Sequence, residues 1–288
     1  MNAIEIKDLQ KRYKDFHLQV DLILKQGETL GLVGPNGAGK TTTINILLNI
    51  VKKDSGEVKI FGLDHINHEG EIKERIGFVF EEQNFYKNMK IGQIIKFCGS
   101  LYPRWKAEYC TSLLDRFNLP PSKKYGELSK GMKIKLALLI AFSSGGEFLI
   151  LDEPTSGLDP KVRHTVLEEI ERIKEKYSPS ILFCSHLMPD VERIADNIAL
   201  INNGKIILME KKTKLKDKWK KITFINENIR ELSAISNILR YQQLDKLRYF
   251  IITNTFSSEL ISSLESSGNK EIQIEELSLE EIFLECVQ

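Results

Sequence analysis

Long hydrophobic runs are missing from this sequence. The longest uninterrupted apolar stretch, at residues 136–142, is far shorter than the roughly 18–20 residues that span a bilayer. The amino-terminal stretch MNAIEIKDLQKRYKDF also lacks the apolar core of a signal peptide. If the protein works at a membrane, we expect another chain to supply the membrane-spanning part.

Closely spaced cysteines and a surplus of one charge are missing too. Four cysteines without close pairs predict neither a zinc site nor a disulfide framework, and they favour a reducing, cytoplasmic setting. The 41 basic and 40 acidic side chains nearly balance. Because general nucleic-acid-binding proteins usually carry a basic surplus, we expect no nucleic-acid partner.

The order of apolar and helical segments predicts an α/β fold. Residues 28–33 form a strand pattern, and residues 146–154 and 180–186 are continuous apolar runs of strand length, typical of a parallel sheet covered on both faces. An amphipathic helix pattern at residues 162–177 separates the last two runs. This succession of strand, helix and strand is typical of doubly wound sheets. Residues 85–141 have a mostly helical pattern.

The composition changes near Gly204, where a second domain is expected. The stretch MEKKTKLKDKWKK contains seven lysines and predicts a solvated linker, or a segment that lies near anionic lipid. Three strand candidates follow it, KITFI, YFIIT and EIQIEEL. We therefore predict one domain over residues 1–212 and a small accessory α/β domain over residues 213–288.

A glycine-rich loop joins the first strand run to a helix pattern. The stretch GPNGAGKT fits the phosphate-binding pattern GxxxxGK[ST], whose glycines let backbone N–H groups converge on phosphate oxygens. A glycine-rich turn without a ligand is the alternative, but the lysine, the threonine and the strand–loop–helix context disfavour it. No NKxD pattern for guanine is present, which favours ATP over GTP. The predicted nucleotide-binding residues are Gly34, Pro35, Asn36, Gly37, Ala38, Gly39, Lys40, Thr41 and Thr42.

Charged side chains at the ends of the later strand runs complete this predicted site. We expect Lys40 to reach the β- and γ-phosphates, and Thr41 and Asp152 to hold Mg²⁺. Glu153 is placed to polarise the attacking water. His186 ends the next strand run, where it either orients that water beside Glu153 or has a structural role.

The stretch YGELSKGMKIKLALLIAF identifies a family. Ser129 is a good N-cap residue before an apolar helix pattern, and LSKGM resembles the LSGGQ signature of ATP-binding-cassette (ABC) ATPases. GPNGAGKT, LSKGM, LDEPTSGLD and SH occur in the order of that family over about residues 1–210. The resemblance implies a P-loop, RecA-like core with a mixed sheet, a helical signature subdomain at about 85–141, and ATP and Mg²⁺ as ligands.

The resemblance also implies a site shared between two copies of the chain. In this family, the signature of one subunit completes the nucleotide site of the other, which assigns Ser129 and Gly131 to the partner's ATP. Ser156, Gly157 and Asp159 match the D-loop that crosses the dimer interface. Tyr13 matches the aromatic position that stacks on adenine, although a tyrosine there is otherwise a packing residue.

Three positions depart from the family pattern. Lys130 replaces a glycine of the signature, and Met132 replaces its glutamine. Glu81 occupies the position of a glutamine that contacts Mg²⁺ and water in the family. Either Glu81 substitutes for that glutamine as a metal ligand, or Gln83 takes the role through a slipped loop.

Residues 84–105 and the stretch SLEEIFLE resemble one branch of the family, the separate ATPase subunits of bacterial drug and peptide exporters. This implies an ATP-hydrolysing subunit at the cytoplasmic face of the membrane, held by an integral membrane subunit that chooses the substrate. Phe85, Tyr86 and Met89 are the candidate docking residues, or they pack the core of the helical subdomain.

The alternative is a soluble ABC ATPase not coupled to transport, which usually has a coiled-coil insertion or two cassettes. A non-catalytic regulator is disfavoured by Glu153.

Overall fold

The computed structural model describes residues 1–81, 84–226 and 238–287. The chain divides into two compact units, residues 1–209 and residues 210–288. No helix within the described part of the chain combines the length and the apolar character needed to cross a membrane.

A mixed sheet is the centre of the first unit. Its ten strands lie in the order β5-β4-β1-β2-β10-β9-β3-β8-β7-β6, in the part of the chain that the structure describes. The strands are β1 (Asn2–Arg12), β2 (His17–Lys25), β3 (Thr29–Val33), β4 (Ser55–Ile60), β5 (Leu63–Asp64), β6 (Ile76–Val79), β7 (Phe148–Asp152), β8 (Ser180–Ser185), β9 (Asn197–Asn202) and β10 (Lys205–Lys211).

The burial of each strand follows its sequence pattern. All residues of β3, β7 and β8 are buried, as their continuous apolar sequences predict for strands covered on both faces. Strand β2 instead alternates between buried and exposed residues, and it pairs with β1 in antiparallel fashion. Strands β9, β3, β8, β7 and β6 form the parallel part of the sheet.

The parallel register brings three loops together. Val33 pairs with Ser185 across β3 and β8, and Asp152 pairs with Cys184 across β7 and β8. Because the carboxyl ends of these strands share one edge of the sheet, the glycine loop, Glu153 and His186 all leave the sheet at the same place.

The first unit contains the helices that pack around its sheet and those of the helical subdomain. They are α1 (Lys40–Leu47), α2 (Glu69–Glu74), α3 (Ile91–Leu101), α4 (Ala107–Arg116), α5 (Lys130–Ser143), α6 (Pro160–Tyr177) and α7 (Met188–Ile194). The predicted helical stretch contains α3, α4 and most of α5, whose second half is buried. The predicted α/β fold with a mixed sheet and a helical subdomain is thereby confirmed.

The second unit is a small antiparallel sheet with helices. Its strand order is β12-β13-β11-β14 among the described residues, and α9 packs Leu260 and Leu264 against Ile222, Phe224 and Ile251. The elements are α8 (Lys212–Lys218), β11 (Lys220–Ile225), β12 (Arg240–Gln243), β13 (Arg248–Thr253), α9 (Ser258–Ser266), β14 (Lys270–Glu276) and α10 (Leu279–Val287).

Two features of this unit go beyond the sequence prediction. The lysine-rich stretch, predicted as a solvated linker, contains the short helix α8, in which Leu215 is buried, as is Trp219 after it. Strand β12 was not predicted, since RYQQ is polar and mostly exposed at the edge of the sheet. The residues at 227–237 lie outside the described part.

Close packing explains the glycine at the start of the phosphate loop. A Cβ at Gly34 would lie 2.1 Å from the carbonyl oxygen of Ile201, which belongs to β9. A side chain there cannot be accommodated unless the backbone of β3 or β9 moves. Gly70 in α2 is different, because a Cβ at this position meets no atom within 4 Å.

Gly34→Ala is expected to lower the free energy of unfolding by about 2–3 kcal/mol, because it overpacks a buried backbone contact. Gly70→Ala, the matched control, should raise it by about 0.5–1 kcal/mol, because alanine is the better helix former. Urea denaturation of both variants measures these changes. Equal free energies of unfolding for the two variants would show that the backbone at Gly34 moves to accommodate a Cβ at little cost.

Candidate nucleotide site

The phosphate loop ends at Gly39 in a backbone conformation that favours glycine. Gly39 has φ 114° and is the N-cap of α1, so the chain reverses there and enters the helix. No side chain caps α1, and its first turn contains no acidic residue. The N–H groups of this turn, with the positive end of the helix dipole, are therefore available to an anion.

Lys40 holds its charge inside the loop. Its Nζ donates to the carbonyl oxygens of Gly34, at 2.8 Å, and Pro35, at 3.2 Å, and lies 3.5 Å from Oε1 of Glu153. The side chain is only 6% exposed. A buried ammonium held mainly by neutral carbonyls can exchange these contacts for phosphate oxygens, which are stronger acceptors.

Asp152 and Thr41 form a polar pair beside Lys40. Thr41 Oγ1 donates to Oδ2 of Asp152 at 3.2 Å, while Oδ1 of Asp152 is buried and has no hydrogen-bond partner among the described residues. The pKa of Asp152 is raised to about 6, chiefly by burial; the charges of Glu153 and Glu81 also raise it, and the hydrogen bond from Thr41 lowers it. A cation beside Asp152 would therefore stabilise its ionised carboxylate.

These oxygens fit Mg²⁺. In nucleotide enzymes, Mg²⁺ is bound by one or two carboxylates together with substrate phosphates rather than by a complete protein cage. The described residues accordingly contain no cluster of three ligating His, Cys, Asp or Glu side chains. The unpaired Oδ1 of Asp152, next to the Thr41 hydroxyl, is a suitable hard oxygen ligand.

Glu153 is held in a strained backbone conformation. Its φ is 50°, in the left-handed region that residues with a side chain rarely adopt, and its N–H donates to Cys184 O at 2.9 Å. Such strain persists only where surrounding contacts fix it, and it is concentrated at functional sites. The turn directs the carboxylate back over the sheet edge toward Lys40 and His186.

His186 contacts Glu153 directly. Its Nδ1 lies 2.8 Å from Oε2 of Glu153, and the Ser185 hydroxyl donates to the same oxygen at 3.4 Å. Since a carboxylate only accepts hydrogen bonds, this contact places the ring proton on Nδ1, and a neutral imidazole then has its lone pair on Nε2. The histidine therefore both orients the carboxylate and can accept a second hydrogen bond.

Tyr13 lies beside a second aromatic ring that the sequence reasoning missed. Its ring centroid is 6.4 Å from that of Phe16, and the Lys11 ammonium lies 5.7 Å from the Tyr13 centroid. A Cβ at Gly39 would lie 3.1 Å from Cζ of Phe16, so Phe16 borders the phosphate loop. No motif includes Phe16, and only the turn between β1 and β2 brings it there.

The signature residues lie elsewhere in the same unit. Ser129 Oγ accepts from Met132 N at 3.3 Å and caps α5, and Asp159 Oδ1 accepts from Val162 N at 3.0 Å and caps α6. A Cβ at Gly131 would lie 3.2 Å from Val162, so the two helix starts are neighbours. Within the described part of the chain, no hydrogen bond or ion pair joins these residues to the phosphate loop.

Of the two candidates for the family's glutamine position, Glu81 and Gln83, the structure describes only Glu81. Glu81 is exposed, and its charge acts on Asp152, so its carboxylate is on the side of the predicted metal site. Gln83 lies outside the described residues.

Comparisons with known proteins identify relatives of this chain. The family model "ABC transporter" matches residues 18–156. YhaQ of Bacillus subtilis (strain 168), an uncharacterized ABC transporter ATP-binding protein, is 32% identical over 278 residues, which covers 93% of this chain and 92% of YhaQ. The bacitracin transport ATP-binding protein BcrA of Bacillus licheniformis is 33% identical over 210 residues, or 71% of this chain and 68% of BcrA.

A solved structure shares the fold as well. An ATP-binding subunit of an ABC transporter has a TM-score of 0.68 to this chain at 27% identity, covering 75% of this chain and 92% of that structure. The resemblance inferred from the sequence motifs is thus confirmed by independent matches. The chain belongs to the family of ABC transporter ATP-binding proteins, and it is an ATPase.

Proposed function

We propose that this chain hydrolyses ATP as the motor subunit of an exporter of peptides or drug-like amphiphiles. The observation that carries the hydrolytic part is the 2.8 Å contact between His186 and Glu153 beside Lys40. The similarity to BcrA, named for bacitracin transport, supports the substrate class. Residues 1–212 act as the ATPase domain and residues 213–288 as an accessory domain.

ATP binding rests on the loop and its neighbours. Lys40 binds the β- and γ-phosphates, the first turn of α1 donates N–H groups to phosphate oxygens, and Tyr13 stacks on adenine next to Phe16. Thr41 and Asp152 would hold Mg²⁺, with Glu81 or Gln83 as a further oxygen donor. A metal ion held there would supply positive charge against the phosphates and polarise the γ-phosphoryl group.

Glu153 acts as the general base. Its carboxylate accepts a proton from the water that attacks the γ-phosphorus, and the bond from that phosphorus to the bridging oxygen of ADP breaks. A positioned base of this kind is worth about 10²–10⁴ in rate. His186 holds the carboxylate through Nδ1, and its Nε2 accepts a hydrogen bond from the water; only a protonated ring would donate from Nε2 to the γ-phosphate.

A second copy of the chain completes the site. The Ser129 hydroxyl, the Gly131 backbone and the amino end of α5 from that copy bind the γ-phosphate, and Asp159 lies at the contact between the copies. The separation of these groups from the phosphate loop within one copy supports this arrangement. ATP then joins the two copies, and hydrolysis separates them.

An exposed apolar groove suits a helix of the membrane subunit. A cavity of about 340 Å³ is lined mainly by apolar side chains, among them Ile50, Phe78, Phe80 and Leu101, and also by the charged Lys73 and Glu74. Leu101 is 60% exposed and Ile50 is 58% exposed. Apolar grooves of this kind bind the apolar face of a helix. This groove favours a transporter over the alternative of an uncoupled ATPase.

The docking residues expected from the sequence lie in different environments. Tyr86 is 83% exposed and is available to a partner. Phe85 packs edge-on against Tyr125 at 5.5 Å, which gives it a place in the subdomain core. Met89 is partly buried. Docking at the groove holds the chain at the cytoplasmic face of the membrane.

Glu153→Gln should lower turnover at least about 100-fold and leave an ATP-bound dimer, because the amide cannot accept the proton but preserves the shape of the site. Light scattering with saturating Mg-ATP measures the mass. The control Lys40→Ala/Glu153→Gln, which lacks the phosphate ligand, should remain a monomer. A Glu153→Gln variant that stays monomeric at saturating ATP would falsify the shared site.

Mixing two inactive variants tests which copy supplies each half of the site. Lys40→Ala lacks the phosphate ligand, and Ser129→Arg blocks the signature but should still bind ATP. An equal mixture should recover up to about one quarter of wild-type turnover, because half of the dimers are mixed and each contains one complete site. Activity no higher than that of the separate variants would mean that one copy contains the whole site.

Leu101→Asp should release the chain from membranes without changing the ATPase rate of the isolated protein, because a charge in the groove opposes apolar docking. Ile66→Asp is the matched control, since Ile66 is exposed but does not line the groove. Each variant replaces the wild-type protein in the source organism. The measurement is the fraction of each variant that sediments with the membranes. If Leu101→Asp sediments with membranes to the same extent as the wild type, this groove is not the docking site.

A further inference from the structure

An ion pair with a buried carboxylate and a partly exposed guanidinium joins the first turns of α6 and α7. Arg163 Nε lies 2.8 Å and 3.0 Å from the two carboxylate oxygens of Asp190, and Arg163 Nη2 lies 2.7 Å from Oδ1. The Asp190 side chain is only 3% exposed. A guanidinium that contacts a carboxylate through two nitrogens fixes both the distance and the orientation of the elements that carry them.

The pair lies next to both catalytic loops. Helix α6 follows the loop that contains Glu153 and Asp159, and Arg163 N donates to Asp159 O at 2.9 Å. Helix α7 begins two residues after His186, and Asp190 N donates to Leu187 O at 3.1 Å. The two loops thus touch at Glu153 and His186, and the helices that leave them are joined one turn later by Arg163 and Asp190.

Other contacts hold α7 without reaching these loops. Val191 packs on β3, where a Cβ at Gly31 would lie 2.1 Å from its Cγ1. Arg193 binds Glu171 farther along the seam between α6 and α7, with side chains that are 31% and 37% exposed. The pair of Arg163 and Asp190 therefore acts at the end of the seam nearest the reaction, and the pair of Arg193 and Glu171 acts away from it.

We propose that Arg163 and Asp190 are a positioning pair that sets the distance between His186 and Glu153. The proposal rests on the proposed roles of His186 and Glu153 in hydrolysis. Loss of either charge breaks the two-nitrogen contact that fixes the first turn of α7 against α6, and this turn can then shift. His186 then moves with Leu187, the N-cap of α7, while the phosphate loop keeps its structure.

The first test is the split between kcat and KM in Asp190→Asn. This variant preserves side-chain shape and removes the charge, so kcat should fall about 10-fold, since small displacements of catalytic groups are costly. KM for ATP should change less than about 2-fold, because Lys40 and the phosphate loop do not contact the pair. A KM that rises as much as kcat falls would overturn the proposal, since it indicates general distortion of the site.

A double-mutant cycle identifies the residue through which the pair acts. If it acts through His186, adding Asp190→Asn to His186→Ala should lower kcat by less than about 2-fold, because the group it positions is already absent. If the two effects multiply, the proposal is wrong although His186 remains catalytic. If His186→Ala alone has wild-type kcat, the proposed function of His186 fails, and the positioning proposal fails with it.

Glu171→Gln is the matched control for the seam. It removes an ion pair between the same two helices, and its kcat should equal that of the wild type. A loss equal to that of Asp190→Asn would show that any break in the seam slows the enzyme, which contradicts a specific role for Arg163. Arg163→Lys keeps the charge but loses the two-nitrogen contact, so an intermediate kcat is expected. This variant provides the test if Asp190→Asn does not fold, and a wild-type kcat for it would then overturn the proposal.

Discussion

The parallel pairing of β3, β8 and β7 is the constraint on which the site depends. Val33 and Ser185 are paired, as are Asp152 and Cys184, so three loops leave the sheet at one level. The phosphate loop, the two carboxylates and His186 are far apart in sequence, and no local interaction brings them together. A slip of one residue in either pairing would turn Asp152 to the other face of the sheet, because side chains alternate along a strand.

The charges at this edge are arranged for a ligand. Buried Asp152 and Glu153 lie beside the buried cation Lys40, and Oδ1 of Asp152 accepts no hydrogen bond from the residues that the structure describes. Burial of carboxylates without enough compensating charge is unfavourable, as the raised pKa of Asp152 records. A metal–nucleotide complex offers both a cation for the carboxylates and phosphates for the ammonium.

The sequence predicted the elements that depend on local patterns. Continuous apolar runs predicted β7 and β8, a strand pattern predicted β3, and Ser129 is the predicted N-cap, whose side-chain bond the structure contains. Elements without such patterns were missed, as polar β12 and the short helix α8 were. Phe16 and the pair of Arg163 and Asp190 belong to no motif. Their relation to the site arises from packing between elements, which spacing along the chain does not contain.

What the sequence by itself determined is the chemistry that is available. Glycines, Lys40 and Thr41 in one short stretch can form a phosphate loop because the whole motif is local, and four motifs in a fixed order identify the family. The tertiary structure alone decided which of these groups meet. It brought His186 to 2.8 Å from Glu153, placed the Ser129 turn beside α6 rather than beside the phosphate loop, and left the Leu101 groove open. The physical reason is that strand register and helix packing depend on burial summed over the whole core. A motif, in contrast, contains information only about residues that are close in sequence.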